Sequence, residues 1–260
     1  MRKNRIKEKW IQGKLAVGTY VNLADPAVVE IIGLAGFDAA FIDMEHTAFN
    51  LDTVQEMLRA CDLTGISSLV RVPDNNPKTI LRILDMGAQG VQVPHISGKK
   101  DAVNMVKAVR YAPLGERGMG GPTRAARYGA LASLEHLETS NSEILLSVMI
   151  EDKEAINELE DIASIEGVDL ITVGPTDLAQ ALGIPENEYP RLMETIEYIS
   201  ATLKRINKAK LALPLNLPAF PLAISQLQEL GVAYANCGPA DVGRLMGSYK
   251  NQIDEIKSYL

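Results

Sequence analysis

Ionisable side chains crowd the end of one apolar run, in the segment FIDMEH at residues 41–46. Its first two residues suit a buried strand, and Asp43, Glu45 and His46 follow directly. Such a cluster is either a satisfied polar edge or part of an active site. An imidazole titrates near neutral pH, so His46 is the natural general base.

Two further carboxylates, Glu151 and Asp177, end two later apolar runs. Carboxylates at neighbouring strand ends suit a hard divalent cation such as Mg²⁺ or Mn²⁺, which prefers oxygen ligands. Alternatively, each carboxylate caps the helix that follows it. The sequence alone leaves both interpretations open.

Arg71 lies inside the apolar segment SSLVRVP. Burying a guanidinium alone is costly, so it must face a pocket, where its planar fork matches a substrate carboxylate, or form a structural salt bridge. His46 also needs a partner to orient its ring, and Asp85 in RILDMGAQG is a candidate. His95 competes for the role of base, whereas His136 in SLEHLE fits a solvated helix position.

Backbone N–H groups offer a further binding element at Gly174 and Thr176, where a strand turns into a helix. They could hold an anion at the helix N-terminus. The glycines of GERGMGG (115–121) match neither Walker nor dinucleotide spacing, which argues against a nucleotide. Three arginines make the loop around this segment basic: Arg117, Arg124 and Arg127. The loop is therefore either a mobile lid or a solvated connection.

The elements that must position these residues alternate between short β-branched runs and helical patterns along the whole chain. Eight strands are predicted, over residues 15–22, 38–45, 67–73, 90–96, 144–151, 169–175, 211–218 and 233–240. Most are continuously apolar, as strands buried on both faces are, and each is followed by a helix. This favours a (β/α)₈ barrel over an open doubly wound sheet.

Function in such barrels lies at the carboxyl ends of the strands. Polar residues stand at all eight predicted ends, more than barrel closure requires. They are Asn22, Asp43, Glu45, His46, Arg71, Gln92, His95, Glu151, Asp177, Asn216 and Asn236. The pattern therefore predicts a lined pocket at that end.

Bulk composition is consistent with one catalytic domain over residues 1–260, with no linker or second domain. A net charge of −7 argues against nucleic acid as a partner, and no apolar stretch is long enough for a membrane span. The two cysteines lie far apart, and the basic start of the chain lacks an apolar signal core. A cytoplasmic protein is expected. The amphipathic helix at the end of the sequence could pack against another copy in an oligomer or against the bottom of its own barrel.

The segments FIDMEH, VRVP, ILDMGAQGVQVP, GERGMGG, MIED and VGPTDLA occur in order. Together they resemble the class II, metal-dependent pyruvate aldolases of the hydroxy-oxo-heptanedioate and dehydro-deoxy-glucarate aldolase group. The resemblance covers nearly the whole chain. It implies a TIM barrel, a small keto-acid substrate, and a homo-oligomer, commonly a hexamer that exchanges a C-terminal helix.

The resemblance also implies roles for individual residues. The metal, Mg²⁺ or Mn²⁺ with Co²⁺ as a third option, would be held by Glu151 and Asp177. Substrate would contact Arg71, Gln92, Gly174 and Thr176. His46 would act as the base, and Asp85 would orient its ring. Asp43 would contact the site residues without contacting the substrate. The metal would stabilise a pyruvate enolate, and no lysine at a predicted strand end offers a Schiff-base route.

Two positions depart from the family pattern. Met149 stands where a glutamine often precedes the metal-binding glutamate, and Ala179 stands where serine often follows GPxDL. The expected reaction is cleavage of a 4-hydroxy-2-oxo acid to pyruvate and an aldehyde. A related branch that makes citrate from oxaloacetate and acetyl-CoA on the same scaffold is the alternative, and a degenerate barrel acting as a binding protein is a third.

Overall fold

A computed structural model describes residues 2–185, 188–217 and 220–259. Within them, parallel strands close into a barrel in chain order, and the last strand pairs with the first. The strands are β1 Ala16–Val21, β2 Ala39–Asp43, β3 Ser67–Arg71, β4 Gly90–Val93, β5 Leu145–Ile150, β6 Leu170–Val173, β7 Lys210–Leu215 and β8 Val232–Cys237. The predicted (β/α)₈ barrel is confirmed. Residue 218, the predicted end of the seventh strand, lies outside the described residues.

Helices precede β1 and follow each strand. They are α1 Arg5–Ile11, α2 Pro26–Leu34, α3 Leu51–Thr64, α4 Pro77–Asp85, α5 Lys99–Val109, α6 Ser133–Glu143, α7 Lys153–Asn157, α8 Leu159–Ala163, α9 Pro175–Ala181, α10 Tyr189–Ile206, α11 Ile224–Leu230 and α12 Asp241–Ser258. A helix that connects one strand to the next, such as α3 or α4, begins at the strand-top end and runs back, so its last residues lie at the amino end of the barrel.

Local sequence fixes where several helices begin and end. The side chains of Asp25 and Asn76 accept hydrogen bonds from the first turns of α2 and α4, and proline occupies the first position of both helices. At the opposite end, Gly65 stops α3 in a left-handed conformation with φ of 77°, which a side chain would strain. These signals fix where the helices begin at the strand tops. They therefore also fix the short loops between strands and helices, which hold the candidate site residues.

The barrel interior changes from apolar to polar along its axis. Its lower layers are filled by a cluster that contains Ala16, Ala39, Phe41, Leu69, Leu145, Leu170, Ala212 and Tyr234. A second, larger core fills the space between the outer faces of the strands and the helices. Side chains along a strand alternate between these two cores, so the inward-facing positions nearest the strand tops are the ones free to form a site.

The closing helix α12 leaves the barrel from the strand-top end. Asp241, its first residue, accepts hydrogen bonds from the backbone N–H groups of Asn22 and Leu23. None of the α12 residues is buried, and its apolar side chains are exposed: Val242, Leu245, Met246, Tyr249, Ile253 and Ile256. The helix therefore does not cover the bottom of its own barrel. No helix in the described part of the chain is long and apolar enough to cross a membrane.

The expectation for His136 was wrong. This residue of α6 is almost completely buried, and its imidazole contacts the Tyr111 hydroxyl and Ser140. Burial, followed by the charge of Arg117, lowers the pKa of His136. His136 is a core residue beneath the loop that follows α5.

Candidate active site

A cavity of about 210 Å³ opens at the strand-top end of the barrel. Its walls come from all eight strands or the turns after them, and they include several of the residues that the sequence singled out. These lining residues are Tyr20, Phe41, His46, Arg71, Gln92, Met149, Thr172, Gly174, Thr176, Asp177, Leu217 and Asn236, among others. The predicted pocket is therefore present where the strands end.

The Arg71 guanidinium is held by two carboxylates. Its Nε and Nη2 donate to the two oxygens of Asp43 at 2.9 and 2.6 Å, and Nη1 lies 2.9 Å from Glu45 Oε2. Burial alone would lower the pKa of Arg71, but the hydrogen bonds and charges of Asp43 and Glu45 raise it overall. Both interpretations of Arg71 thus apply, because it forms a structural ion pair and also lines the cavity.

Asp43 has a second task in the turn after β2. Its Oδ1 also accepts a hydrogen bond from the Glu45 backbone N–H at 3.1 Å, and its carbonyl accepts one from the Thr47 hydroxyl. A carboxylate that bonds the backbone two residues on fixes a turn locally. Asp43 therefore positions both Arg71 and the segment that presents Glu45 and His46.

Glu151 and Asp177 approach each other across Gly174. A Cβ atom built on Gly174 would lie 3.4 Å from Glu151 Oε2 and 3.5 Å from Asp177 Oδ2, so the separation of the two oxygens is less than the sum of these distances. Neither carboxylate caps its helix: Asp152 and Gly174 hold the N-cap positions of α7 and α9. The two acids instead face a common space at the edge of the cavity.

The donor set fits a hard divalent cation. Only 4% of Glu151 is exposed, and burial raises the pKa of its carboxyl group, with the nearby charges of Glu45 and Asp177 acting in the same direction. A cation between Glu151 and Asp177 would offset this cost. Residues 2–185, 188–217 and 220–259 contain no group of three or more His, Cys, Asp or Glu side chains suited to a metal. Further ligands would therefore be oxygens of substrate and water, as Mg²⁺ and Mn²⁺ accept.

Two histidines stand at the mouth of the site in different ways. The His46 side chain is 66% exposed, and its Nε2 is 3.9 Å from Glu45 Oε2. His95 bridges two acids, with Nε2 3.3 Å from Glu45 Oε1 and Nδ1 3.3 Å from Glu151 Oε1. Its backbone N–H also donates to Glu151 Oε1 at 2.6 Å. The His95 backbone has a positive φ of 54°, which is uncommon outside glycine.

Asp85 is not part of this cavity. It is the last residue of α4, which places it at the amino end of the barrel, and its Oδ1 accepts a hydrogen bond from Arg117 Nη2 at 2.7 Å. The expected pairing of Asp85 with His46 is therefore not formed within one chain, because the two residues lie at opposite ends of the strands. The carboxylate beside His46 is Glu45.

The arginine-rich loop after α5 lies at the same amino end, so it is not a lid over this cavity. The Arg117 side chain is 0% exposed, and its guanidinium lies over the Tyr111 ring. Arg124 donates to the Met86 carbonyl and pairs with Asp62. These contacts make the loop a packed connection.

Of the remaining positions, Gln92 and Met149 line the cavity and Ala179 does not. Gln92 accepts a hydrogen bond from the Ser147 hydroxyl at 3.4 Å, and Ser147 is 2.7 Å from the Thr172 hydroxyl. Met149 is buried beside Gly174, where a glutamine side chain would have brought an amide. Ala179 lies in α9 and packs partly against the outer core.

Three wall residues were missed or given no role from sequence: Tyr20, Tyr234 and Asn236. Burial raises the pKa of Tyr20 to about 12, so its phenol stays protonated. The Tyr234 hydroxyl donates to Asn236 Oδ1, and Gly18 opposite is required because a Cβ there would collide with that hydroxyl. Counting alternate positions upward from Ala16 would have placed Tyr20 inside the barrel.

A closed parallel barrel with buried acids and one arginine at its strand tops is the architecture of a (β/α)₈ enzyme. Residues 16–213 match the HpcH/HpaI aldolase/citrate lyase family. The chain belongs to this family, and it is an aldolase, a carbon–carbon lyase.

Individual relatives agree. A pyruvate aldolase of Rhizobium etli is 36% identical over 79% of this chain and 80% of its own. A 5-keto-4-deoxy-D-glucarate aldolase of Salmonella paratyphi C is 32% identical over 98% of this chain and 97% of its own. Among solved structures, the citrate synthase SbnG superposes with a TM-score of 0.85 at 29% identity, with 97% of each chain covered. An HpcH/HpaI aldolase from Desulfitobacterium hafniense superposes with a TM-score of 0.87 at 28% sequence identity, with 96% of each chain covered.

Proposed function

We propose that this aldolase cleaves a 4-hydroxy-2-oxo acid to pyruvate and an aldehyde, with a divalent metal ion, Mg²⁺, Mn²⁺ or Co²⁺, held by Glu151 and Asp177. The observation that carries the proposal is the approach of the buried Glu151 and the exposed Asp177 across Gly174, at the cavity that Arg71 also lines. The names of the Rhizobium and Salmonella relatives, which include pyruvate and a keto-deoxy sugar acid, support the substrate class.

A bound divalent ion would polarise the keto group of the substrate and so favour breakage of the neighbouring carbon–carbon bond. The chain supplies the remaining chemistry. Arg71, pre-oriented by Asp43, binds the substrate carboxylate, and the N–H groups at the start of α9, around Gly174 and Thr176, help to hold it. Gln92 contacts the substrate from the barrel wall.

His46 moves the proton. Its exposed imidazole lies at the edge of the cavity, where it can remove the proton of the substrate hydroxyl as the bond breaks. Glu45 is the acid that orients it within one chain. Asp85, at the other end of the barrel, has no place in this chain's own site.

The wider properties follow the same proposal. Residues 1–260 form one catalytic domain that acts in the cytoplasm. The exposed apolar side of α12 is the contact through which copies of the chain assemble, as a hexamer in the family pattern.

The test is pyruvate release from 4-hydroxy-2-oxo acids, assayed after EDTA treatment and after addition of Mg²⁺, Mn²⁺ or Co²⁺. We expect activity that depends on the added ion and is lost in Glu151→Gln. Full activity in EDTA, or in Glu151→Gln, would contradict the metal role of the two carboxylates.

A second candidate is carbon–carbon bond formation of the citrate synthase type. It is favoured by the similarity to SbnG and by Met149, which removes a side-chain amide from the site. Consumption of acetyl-CoA with oxaloacetate, in the absence of pyruvate release, would support this candidate over the aldol cleavage.

A further inference from the structure

The charges around the cavity are strongly unbalanced. Of its lining residues, only Arg71 and His46 carry basic groups, and Arg71 is already paired with both Asp43 and Glu45. Glu151 and Asp177 add two more acids at the edge. A divalent ion between those two would be matched by them, and the keto-acid carboxylate would engage Arg71. No further lysine or arginine of the described chain lines the space that remains.

The rest of the wall is uncharged. One side, formed largely by the end of β7 and the turn after it, is apolar: Met149, Ala212, Leu213, Pro214 and Leu217. The other side carries neutral polar groups, including Tyr20, Thr172, Tyr234 and Asn236. Asn236 presents its amide to the cavity, and Tyr20 offers a phenol that stays protonated at neutral pH. Such walls can bind hydroxyl groups and hydrocarbon but cannot neutralise a second carboxylate.

The guanidinium of Arg244 also lies near this end of the barrel, beside the end of β8. Arg244, in α12, donates through Nη2 to the carbonyl oxygens of Cys237 and Gly238 at 3.4 and 3.2 Å. It does not line the cavity. Its contacts fasten the start of α12 to the end of β8, and they leave the apolar wall at Leu217 without a positive charge.

We infer that the aldehyde half of the substrate is uncharged, so that the enzyme prefers 4-hydroxy-2-oxo monocarboxylates and discriminates against dicarboxylates. This inference rests on the proposed aldol cleavage and narrows its substrate class. It also separates this chain from the relatives whose name includes glucarate, a sugar acid with a carboxylate at each end. A distal carboxylate entering this cavity would meet an excess of acids and, among the described residues, no unpaired lysine or arginine on the wall, and it would lose its hydration without compensation.

The experiment compares two substrates of equal length, 4-hydroxy-2-oxohexanoate and 4-hydroxy-2-oxohexanedioate, with the full chain and added Mn²⁺. Both release pyruvate, so one assay serves for each. We expect kcat/KM to be at least about tenfold higher for the monocarboxylate, because the loss of one charge contact of modest strength changes kcat/KM by about that factor. An equal or higher kcat/KM for the dicarboxylate would overturn the inference. Pyruvate release from neither would instead overturn the proposed function.

A pair of variants tests whether charge is the cause. Leu217→Lys adds a cation to the apolar wall, and Leu217→Met is its matched neutral control. We expect the lysine to reduce the preference for the monocarboxylate several-fold relative to the methionine variant. The same preference in both variants would overturn the electrostatic argument. Arg244→Gln should leave the preference of the natural chain unchanged, and a further decline in dicarboxylate cleavage in that variant would show that Arg244 does bind the distal end.

Discussion

The two ends of the barrel both hold charged side chains, but they balance them differently. At the amino end, Arg110 is almost completely buried and donates to the carbonyl oxygens of Gly167, Asn141 and Ile144 as well as to Asp169. At the strand-top end, Asp43 and Glu45 share the Arg71 guanidinium, and Glu151 and Asp177 form no ion pair with a lysine or arginine of the described residues.

Balanced pairing is what closure of a barrel requires, because a buried charge must be compensated within the fold. An excess of one sign is costly without a partner from outside the chain. The amino end therefore holds the protein together, and the strand tops are built to receive a ligand. Substitutions at the two ends should separate activity from stability.

The largest effect is expected at the strand tops. Glu151→Gln keeps the shape of the side chain but removes a negative charge from the proposed metal site, so we expect pyruvate release to fall roughly a thousandfold. Stability should be kept or increased, because burial already raises the pKa of this group and its ionised form is unfavourable in the metal-free fold. Enzyme kinetics and thermal denaturation in EDTA measure the two quantities.

The matched control is Glu143→Gln. Glu143 lies at the amino end, where its carboxylate accepts a hydrogen bond from the backbone N–H of Asn4 at 2.7 Å. Activity of this variant should stay within about twofold of the natural chain, as for a site far from the reacting groups. A comparable loss in both variants would remove the distinction between the two ends.

The next largest effect is expected for Arg110→Met at the amino end, which should lower stability without lowering activity. It removes the guanidinium donors of the Gly167 and Asn141 carbonyls, whereas Asp169 and the Ile144 carbonyl keep Lys7 as a partner, so we expect the free energy of unfolding to fall by about 3 kcal/mol. The kcat of the folded fraction should be unchanged. Urea denaturation followed by active-site titration checks both, and a loss of kcat in fully folded enzyme would mean that the amino end also takes part in function.

A smaller effect concerns pH. Burial lowers the pKa of His136, so the unfolded chain binds this proton more readily than the folded one. The contribution of the neutral imidazole to stability is complete above the ordinary histidine pKa of about 6.5 and is lost as the pH falls below it. Denaturation between about pH 7.5 and 5 should show a shallower loss in His136→Gln than in the natural chain. Parallel pH profiles would contradict this origin of the acid sensitivity.

Much of the fold could be predicted because its signals are local. Apolar runs such as AAFID and LLSVMI, each followed by a helix, define the strands and their order. The facing of the strands was harder to predict. A strand buried on both faces has no polar alternation, so only inward polar residues such as Gln92 and Arg71 reveal its phase. Tyr20 and Tyr234, which are compatible with either face, were missed.

The position of the acids and of Arg71 at the strand tops was predicted from sequence, but their pairing was not. Asp85 resembled a partner for His46 in sequence, although the end of a helix that follows a strand must return to the amino end. His136 resembled a solvated position because its burial depends on Tyr111, a contact made from a loop across 25 residues. The contact between His95 and Glu45 joins the ends of two different strands, so their spacing along the chain does not reveal it.

The smallest effect tests whether every polar residue at the strand tops belongs to the site. Asn50 follows the FIDMEH turn, and its side chain accepts a hydrogen bond from the Thr53 N–H at 2.8 Å as the N-cap of α3. Asn50→Ala should lower stability by about 1 kcal/mol, the usual cost of a lost cap, whereas Asn50→Asp should retain it. Neither should alter kcat/KM, because the side chain serves the helix and does not line the cavity. A fall in kcat/KM in the alanine variant alone would show that the start of α3 sets the position of His46, and the division between structural and functional polar groups would then have to be drawn within this loop.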